Sequence, residues 1–284
     1  DEKGELLGTS IAMPLYDHLL SGSPGYSTTT SLTYFNSSIG DESVGKVGVF
    51  DFIALSDAAS SNTNHNNTIT TTTNSSNELT FTERFADIFV GTSPGDRCGA
   101  TVAATIPGRH IAIGCPSTTG LGYVKVYEYD HLSSPSSPPI QVLSTLYGNE
   151  INDGFGMSVA LCYNFIGLHT ADQLRLAIGS NSGYAQLWGS DKGGWLRLDG
   201  DNGNNGGGAA FSLNHPEGKE GGKVTVQLAA SGALHVGYPS FDSDRGMVRS
   251  FSVKTVSINL RSLKERFDSS PYSFLQGRSQ GDRF

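Results

Sequence analysis

The residues of this chain best spaced for chemistry are the alternating acids of Asp199-Gly200-Asp201-Asn202-Gly203-Asn204. Carboxylates two apart on a tight turn can converge on a hard cation such as calcium, with Asp199 and Asp201 as the ligands. Asp242-Ser243-Asp244 is a shorter version of the same pattern. A calcium site needs roughly 6 to 8 oxygens, more than either stretch supplies, so a polar Gly-rich turn between strands is the better reading of both.

The other reactive side chains are scattered. Cys98, Cys115 and Cys162 lack metal-type spacing. In the repeat described below, Cys98 and Cys115 fall on neighbouring strands, so a disulfide between them is one outcome and three small buried thiols the other. Seven histidines are dispersed, and His110 and His235 stand at similar places in two strands, where structural hydrogen bonding is expected. There is no Gly-x-Ser-x-Gly elbow, His-Glu-x-x-His helix or phosphate-cradling Gly loop, and the expectation is that these residues hold no active site.

Asn36, Asn66 and Asn74 each begin an Asn-x-Ser/Thr acceptor for N-linked sugar. The last two lie in a stretch from 57 to 77 that has almost no apolar residue and is expected to be a disordered insertion. Together they favour a secreted or cell-surface location. A net charge of -8, with no dense Lys/Arg cluster, excludes nucleic acid as a natural partner. No apolar run reaches the roughly 20 residues needed to cross a bilayer, so no membrane insertion is expected of this segment.

The elements that must position these side chains are short strands. Thirty-seven per cent of residues are hydrophobic and 36 are glycine, a composition of many tight turns. Three segments recur in fixed order. In one unit they are Phe155-Gly156-Met157-Ser158-Val159-Ala160, Leu174 to Gly179, and Gly183 to Trp188; in another, Cys98 to Ala103, His110 to Cys115, and Gly122 to Tyr127. A looser unit opens at Leu7, with its middle segment at Ser31 to Asn36 and its end at Gly45 to Phe50. Another opens at 207–213 and continues through Leu234 to Pro239 and Gly246 to Phe251. The glycine that begins each third segment falls at 45, 122, 183 and 246, spacings of 77, 61 and 63 residues. A fourth strand is expected at Ile140 to Leu146, Trp195 to Leu198 and Val256 to Leu260. Four strands per unit match one blade of a β-propeller, and nearly continuous apolar runs such as Leu174 to Gly179 suit sheets covered on both faces.

This pattern of Phe-Gly-x-Ser-Val-Ala, Leu-x-Ile-Gly with a proline two residues on (Pro116, Pro239), and Gly-x-Val-x-Val-Tyr resembles the FG-GAP repeat of integrin α-chain propellers. The resemblance implies an all-β propeller of about four blades here, within a seven-bladed ring. The blades would span 1–91, 92–148, 149–200 and 201–276, with 277–284 the start of a further unit. It also implies calcium in the loops joining first to second strands, but Thr105 to Gly108, Tyr163 to Gln173 and Asn214 to Gly222 lack the acids that motif needs. The function expected is a non-enzymatic adhesion or interaction module presenting loops to a protein or glycan partner, with Tyr147, Tyr163 and Tyr238 as contact points. Two alternatives stand beside it: an architectural subunit packed against other chains of a larger surface assembly, and a substrate- or sugar-binding propeller appended to a hydrolase or lectin-like chain.

Overall fold

The computed structural model describes residues 9–15, 18–26, 43–53, 80–83, 89–105, 109–129, 140–163, 174–191, 194–198, 213, 222–229, 233–241, 245–254, 266–267 and 273–276. All the regular elements among them are strands, in four antiparallel sheets that follow one another along the chain. The first sheet has β1 (Ser10–Leu15), β2 (His18–Ser23), β3 (Lys46–Ile53) and β4 (Thr80–Glu83), with β5 (Phe89–Val90) also paired to β3. The second has β6 (Thr101–Ala104), β7 (His110–Cys115), β8 (Leu121–Tyr129) and β9 (Ile140–Ile151). The third has β10 (Ser158–Tyr163), β11 (Leu174–Gly179), β12 (Ala185–Asp191) and β13 (Gly194–Arg197). The fourth has β14 (Thr225–Leu228), β15 (Ala233–Tyr238), β16 (Met247–Lys254) and β17 (Arg266–Phe267), with β18 (Ser273–Gln276) on β16. Four consecutive up-and-down sheets packed face to face are blades of a β-propeller. Among the described residues no helix is long and apolar enough to cross a membrane.

Alternation along each strand sends one set of side chains to the preceding sheet and the other to the next. Three apolar clusters result. Leu20, Val47 and Val49 of the first sheet meet Val102, Ile111 and Ile113 of the second. Ala112, Val124 and Val126 meet Leu161, Leu176 and Ile178 of the third. Ala177, Ala185 and Leu187 meet Leu234, Val236 and Phe251 of the fourth. All six residues of β11 are buried, as the apolar run requires. Phe155 is fully buried in the middle cluster, a side chain worth about 1.5–3 kcal/mol when removed from water.

The seams between sheets also share a backbone device. A Cβ built on Gly22, Gly114 or Gly179, each in the second strand of its sheet, would come within 2.2 Å of a carbonyl oxygen of the following sheet's lead-in: Gly99, Gly156 and Val224 respectively. Only glycine permits that approach. Beside it, a hydroxyl bonds across each seam. Val102 N donates to Ser10 Oγ (2.8 Å), Thr101 Oγ1 donates to the Gly156 carbonyl (2.8 Å), and Val226 N donates to Ser158 Oγ (3.0 Å).

Several expected strands fall elsewhere. The second strand of the first sheet is His18–Ser23, not Ser31 to Asn36, which lies outside the described residues. Ser21 and Ser23 are buried polar residues, so this strand lacks the apolar signature of its counterparts. The first strand of the fourth sheet is Thr225–Leu228 rather than 207–213. Val224 stands where the other lead-ins carry glycine, and the glycines at 206–208 drew the expectation upstream. Asn214 to Gly222 therefore precede the first strand and do not join the first two. The segment from Val256 to Leu260 lies outside the described residues; β17 and β18 are the partners of β16 there.

Candidate binding cleft at the first seam

The approach to each of the middle sheets is a turn organised by one carboxylate. Asp96 Oδ2 accepts from Thr92 N (2.9 Å), Thr92 Oγ1 (3.1 Å), Ser93 N (2.9 Å) and Tyr123 Oη (2.7 Å). One repeat later, Asp153 Oδ2 accepts from Asn149 N (3.0 Å), Glu150 N (3.2 Å) and the Tyr184 hydroxyl, while Oδ1 accepts from Phe155 N (2.9 Å). Asp96 and Asp153 are both nearly inaccessible, a burial tolerable because the charge is so heavily hydrogen-bonded. Burial pushes the phenols of Tyr123 and Tyr184 well above the ordinary tyrosine range; at Tyr123 the Thr92 hydrogen bond offsets part of the rise and Asp96 adds to it, while at Tyr184 Asp153 adds to the rise.

Around the first of these turns lies a cleft of about 580 Å³. Its floor comes from β8 and β9, where Tyr123 pairs with Tyr147 and Lys125 with Thr145, side by side on the face turned to the first sheet. The register slips between Leu121 and Tyr123, a bulge that splays the strand ends. Tyr147 is 57 % exposed, and its ring lies 6.1 Å from that of Tyr123 at 51°. The Lys125 ammonium sits 5.4 Å from the Tyr123 ring centre, an attractive placement for a cation. The walls are hydroxylic: Thr92 and Ser93 come from the Asp96 turn, Ser117 and Thr119 from the β7–β8 connection. Thr119 Oγ1 donates to the Pro94 carbonyl and Ser117 Oγ accepts from Gly120 N, which ties the two walls in place. The cleft thus offers an exposed aromatic face, several hydroxyls, one ammonium and one carboxylate already engaged by four donors.

Of the residues singled out from sequence, Tyr147 is in this cleft. Tyr163 is half-buried and bonds through its hydroxyl to His110 Nδ1 (2.9 Å), and Tyr238 is fully buried, donating to the Leu213 carbonyl (3.1 Å); neither is a surface contact point. His235 Nδ1 bonds to Ser250 Oγ at 2.8 Å. Cys98 and Cys115 are joined in a disulfide with sulfurs 2.05 Å apart, and Cys162 is free, its thiol pushed up to about 11 mainly by burial. Among the described residues no three His, Cys, Asp or Glu side chains come together to hold a metal ion. Asp199, Asp201, Asn36, Asn66 and Asn74 lie outside the described residues. Asp96, Tyr123 and Lys125 were not singled out. The signal for Asp96 was the repeated spacing of Gly91 to Asp96 and Gly148 to Asp153; for Tyr123 it was the Gly-Tyr pair shared with Gly183-Tyr184.

No family model matches the chain, and no curated protein matches it. Among solved structures the chain is similar to Trypanosoma rangeli sialidase. In its complex with the inhibitor DANA the TM-score is 0.38 at 11% identity, over 96% of this chain and 38% of that one. With 2,3-difluorosialic acid, as a covalent intermediate, it is 0.37 at 11%, over 85% and 36%. With sialic acid it is 0.35 at 9%, over 94% and 36%. The chain therefore spans little more than a third of each sialidase chain. Likeness at this level transfers neither substrate nor mechanism. It does correct one expectation: the proteins found are enzymes, so the assignment of this chain as non-enzymatic is withdrawn. What the sheets define is the class, a β-propeller; the integrin-type family is not matched.

Proposed function

We propose that this chain is a sugar-binding propeller of the FG-GAP type, from a secreted or cell-surface protein, and that it seats a glycan in the cleft that its second sheet forms with the Asp96 turn. The observation that carries this is the pairing of Tyr147 with a surround of hydroxyl side chains at the mouth of a 580 Å³ concavity. A pyranose has one apolar face of C–H groups and a rim of hydroxyls. An exposed tyrosine ring matches the first, and the Thr92, Ser93, Ser117, Thr119 and Thr145 side chains match the second. The Cys98–Cys115 bridge supports an oxidising compartment, where glycans are abundant. This favours the sugar-binding alternative over adhesion through rim loops. Calorimetric titration against a panel of neutral, acidic and amino sugars tests it. At least one should bind, and Tyr147→Ala should weaken that binding about tenfold, or about 1.4 kcal/mol. Absence of binding across the panel would sink the proposal.

A second reading, a protein partner in a larger assembly, rests on β9. It is the outer strand of its sheet, twelve residues long, with Val142 55 % and Ile151 72 % exposed. Free strand edges of that kind accept an added strand. Cross-linking from Ile151 in protein from its natural source would separate this reading from the first.

A further inference from the structure

The cleft that holds Tyr147 is lined by two charged side chains, Lys125 and Asp96. Among the described residues no carboxylate pairs with the Lys125 ammonium, which lies against the Tyr123 ring. The repeat shows how unusual this is. Three residues after the glycine that opens each third segment stand Gly48, Lys125, Gln186 and Arg249. Gly48 has no side chain. Gln186 is buried and both ends of its amide are spent, Nε2 donating to Asn149 Oδ1 (3.2 Å) and Oε1 accepting from Trp188 Nε1 (3.0 Å). The Arg249 guanidinium lies 5.1 Å from the Phe251 ring centre. Lys125 instead keeps its charged head at an open concavity.

Asp96 departs from its counterpart too. Asp153 uses both oxygens, because Oδ1 accepts from Phe155 N. The equivalent amide in the second sheet, Cys98 N, donates to the Val44 carbonyl instead (3.0 Å). All four donors to Asp96 meet Oδ2, so among the described residues Oδ1 is left as an unused acceptor. An ammonium without a counterion calls for an anionic group, and the neighbouring carboxylate sets its limit. One negative charge on a ligand is balanced by Lys125; a second would face Asp96.

The spacing suits one sugar ring. Tyr123 pairs with Tyr147 and Lys125 with Thr145, so Lys125 and Tyr147 are diagonal neighbours on one face of the β8–β9 pair. Diagonal positions lie about 7–8 Å apart, within reach of a pyranose and its exocyclic group. Resting on the glycan reading above, we propose that the ligand is a singly charged acidic sugar: a pyranose stacked on Tyr147, its carboxylate or sulfate ester against the Lys125 ammonium and a ring hydroxyl donating to Asp96 Oδ1. Lys125 is then the residue that selects acidic over neutral sugars.

Calorimetric titration of the 284-residue chain with sugars that differ only at C6 tests this. The probes are methyl glucoside, methyl glucuronide, and the 6-sulfate and 6-phosphate of methyl glucoside, with the galactose series beside them. In at least one series the glucuronide-type or 6-sulfate sugar should bind about tenfold tighter than the neutral one, the strength of a charged hydrogen bond. The tighter of the two identifies which anion the cleft takes. At pH 8 the 6-phosphate is doubly charged and should gain less. Lys125→Gln should remove the gain and leave the neutral sugar's affinity unchanged, a split that a lysine serving only to cover Tyr123 would not produce. Lys125→Arg should keep the gain, and Tyr147→Ala should weaken every member. Equal binding of neutral and charged sugars, still dependent on Tyr147, would overturn the charge assignment and leave the glycan reading standing. A gain that survives in Lys125→Gln, or tightest binding by the 6-phosphate, would also overturn it. No binding in either series would remove both readings together.

Discussion

Tyr123 and Asp96, 27 residues apart, meet at 2.7 Å through phenol and carboxylate, and Tyr184 meets Asp153 in the same way one repeat later. In each pair the carboxylate also gathers two backbone amides of the turn that leads into the sheet. Tyr123 stands on the third strand of its sheet and Tyr184 immediately before the third strand of its own. The contact therefore bolts the lead-in to the blade it precedes, and at Asp96 it also builds a wall of the cleft.

Removing one side of this bolt has a graded cost. Tyr123→Phe deletes a single hydrogen bond and should lower unfolding free energy by about 1–2 kcal/mol. Asp96→Ala strands two amides and the phenol together, and about 3–5 kcal/mol is expected. Urea unfolding of both variants and the double variant checks this; equal losses in the two single variants would contradict the shared role of the carboxylate.

The glycine notches predict position-specific intolerance. Gly114→Ala and Gly179→Ala place a methyl against a backbone carbonyl of the next sheet, and each should cost about 1–3 kcal/mol or more. Gly120→Ala is the contrast, since its nearest neighbour would be Ser117 Oγ at 3.5 Å, and it should change thermal stability little. A similar loss at all three would show that the effect is generic.

The disulfide closes a loop with a sequence separation of 17 between its cysteines. Loop-closure entropy assigns it about 3 kcal/mol. Cys98→Ser/Cys115→Ser should lower the free energy of unfolding measured in urea by about that amount, and a reductant should leave the double variant unaffected while lowering the wild type towards it.

Alkaline pH should unfold this chain through its buried phenols. Burial alone raises Tyr127 to about 12, and Tyr238 is raised to about 12 mainly by burial; Tyr123 and Tyr184 are raised too. A phenol whose folded value lies above its unfolded value near 10 keeps its proton longer in the native state. Its contribution is therefore fully present below pH 10 and is lost as pH rises towards 12. Stability should be flat up to about pH 9 and then fall. Tyr127→Phe should reduce the slope by about 1.4 kcal/mol per pH unit, one proton's worth. An unchanged slope in that variant would contradict the assignment.

The propeller was legible wherever a strand is buried on both faces. Leu174–Gly179 and His110–Cys115 announce themselves as nearly continuous apolar runs because both faces of these strands are covered by neighbouring sheets. His18–Ser23 was hidden because Ser21 and Ser23 are buried despite being polar. Thr225–Leu228 was hidden because Val224 replaces the lead-in glycine, leaving the richer glycine run upstream as a decoy. The cleft was legible only at Tyr147. Its other residues come together through the β8–β9 register, a bulge and the Asp96 turn, and none of these is a motif in the linear chain.

The most direct test is saturation-transfer NMR of the chain with the tightest glycan of the panel, run beside Tyr147→Ala. The account predicts transfer strongest at the ring C–H protons of one sugar face, lost in Tyr147→Ala while Tyr163→Phe, remote from the cleft, keeps it. Transfer that survives in Tyr147→Ala would contradict a glycan seat at the first seam.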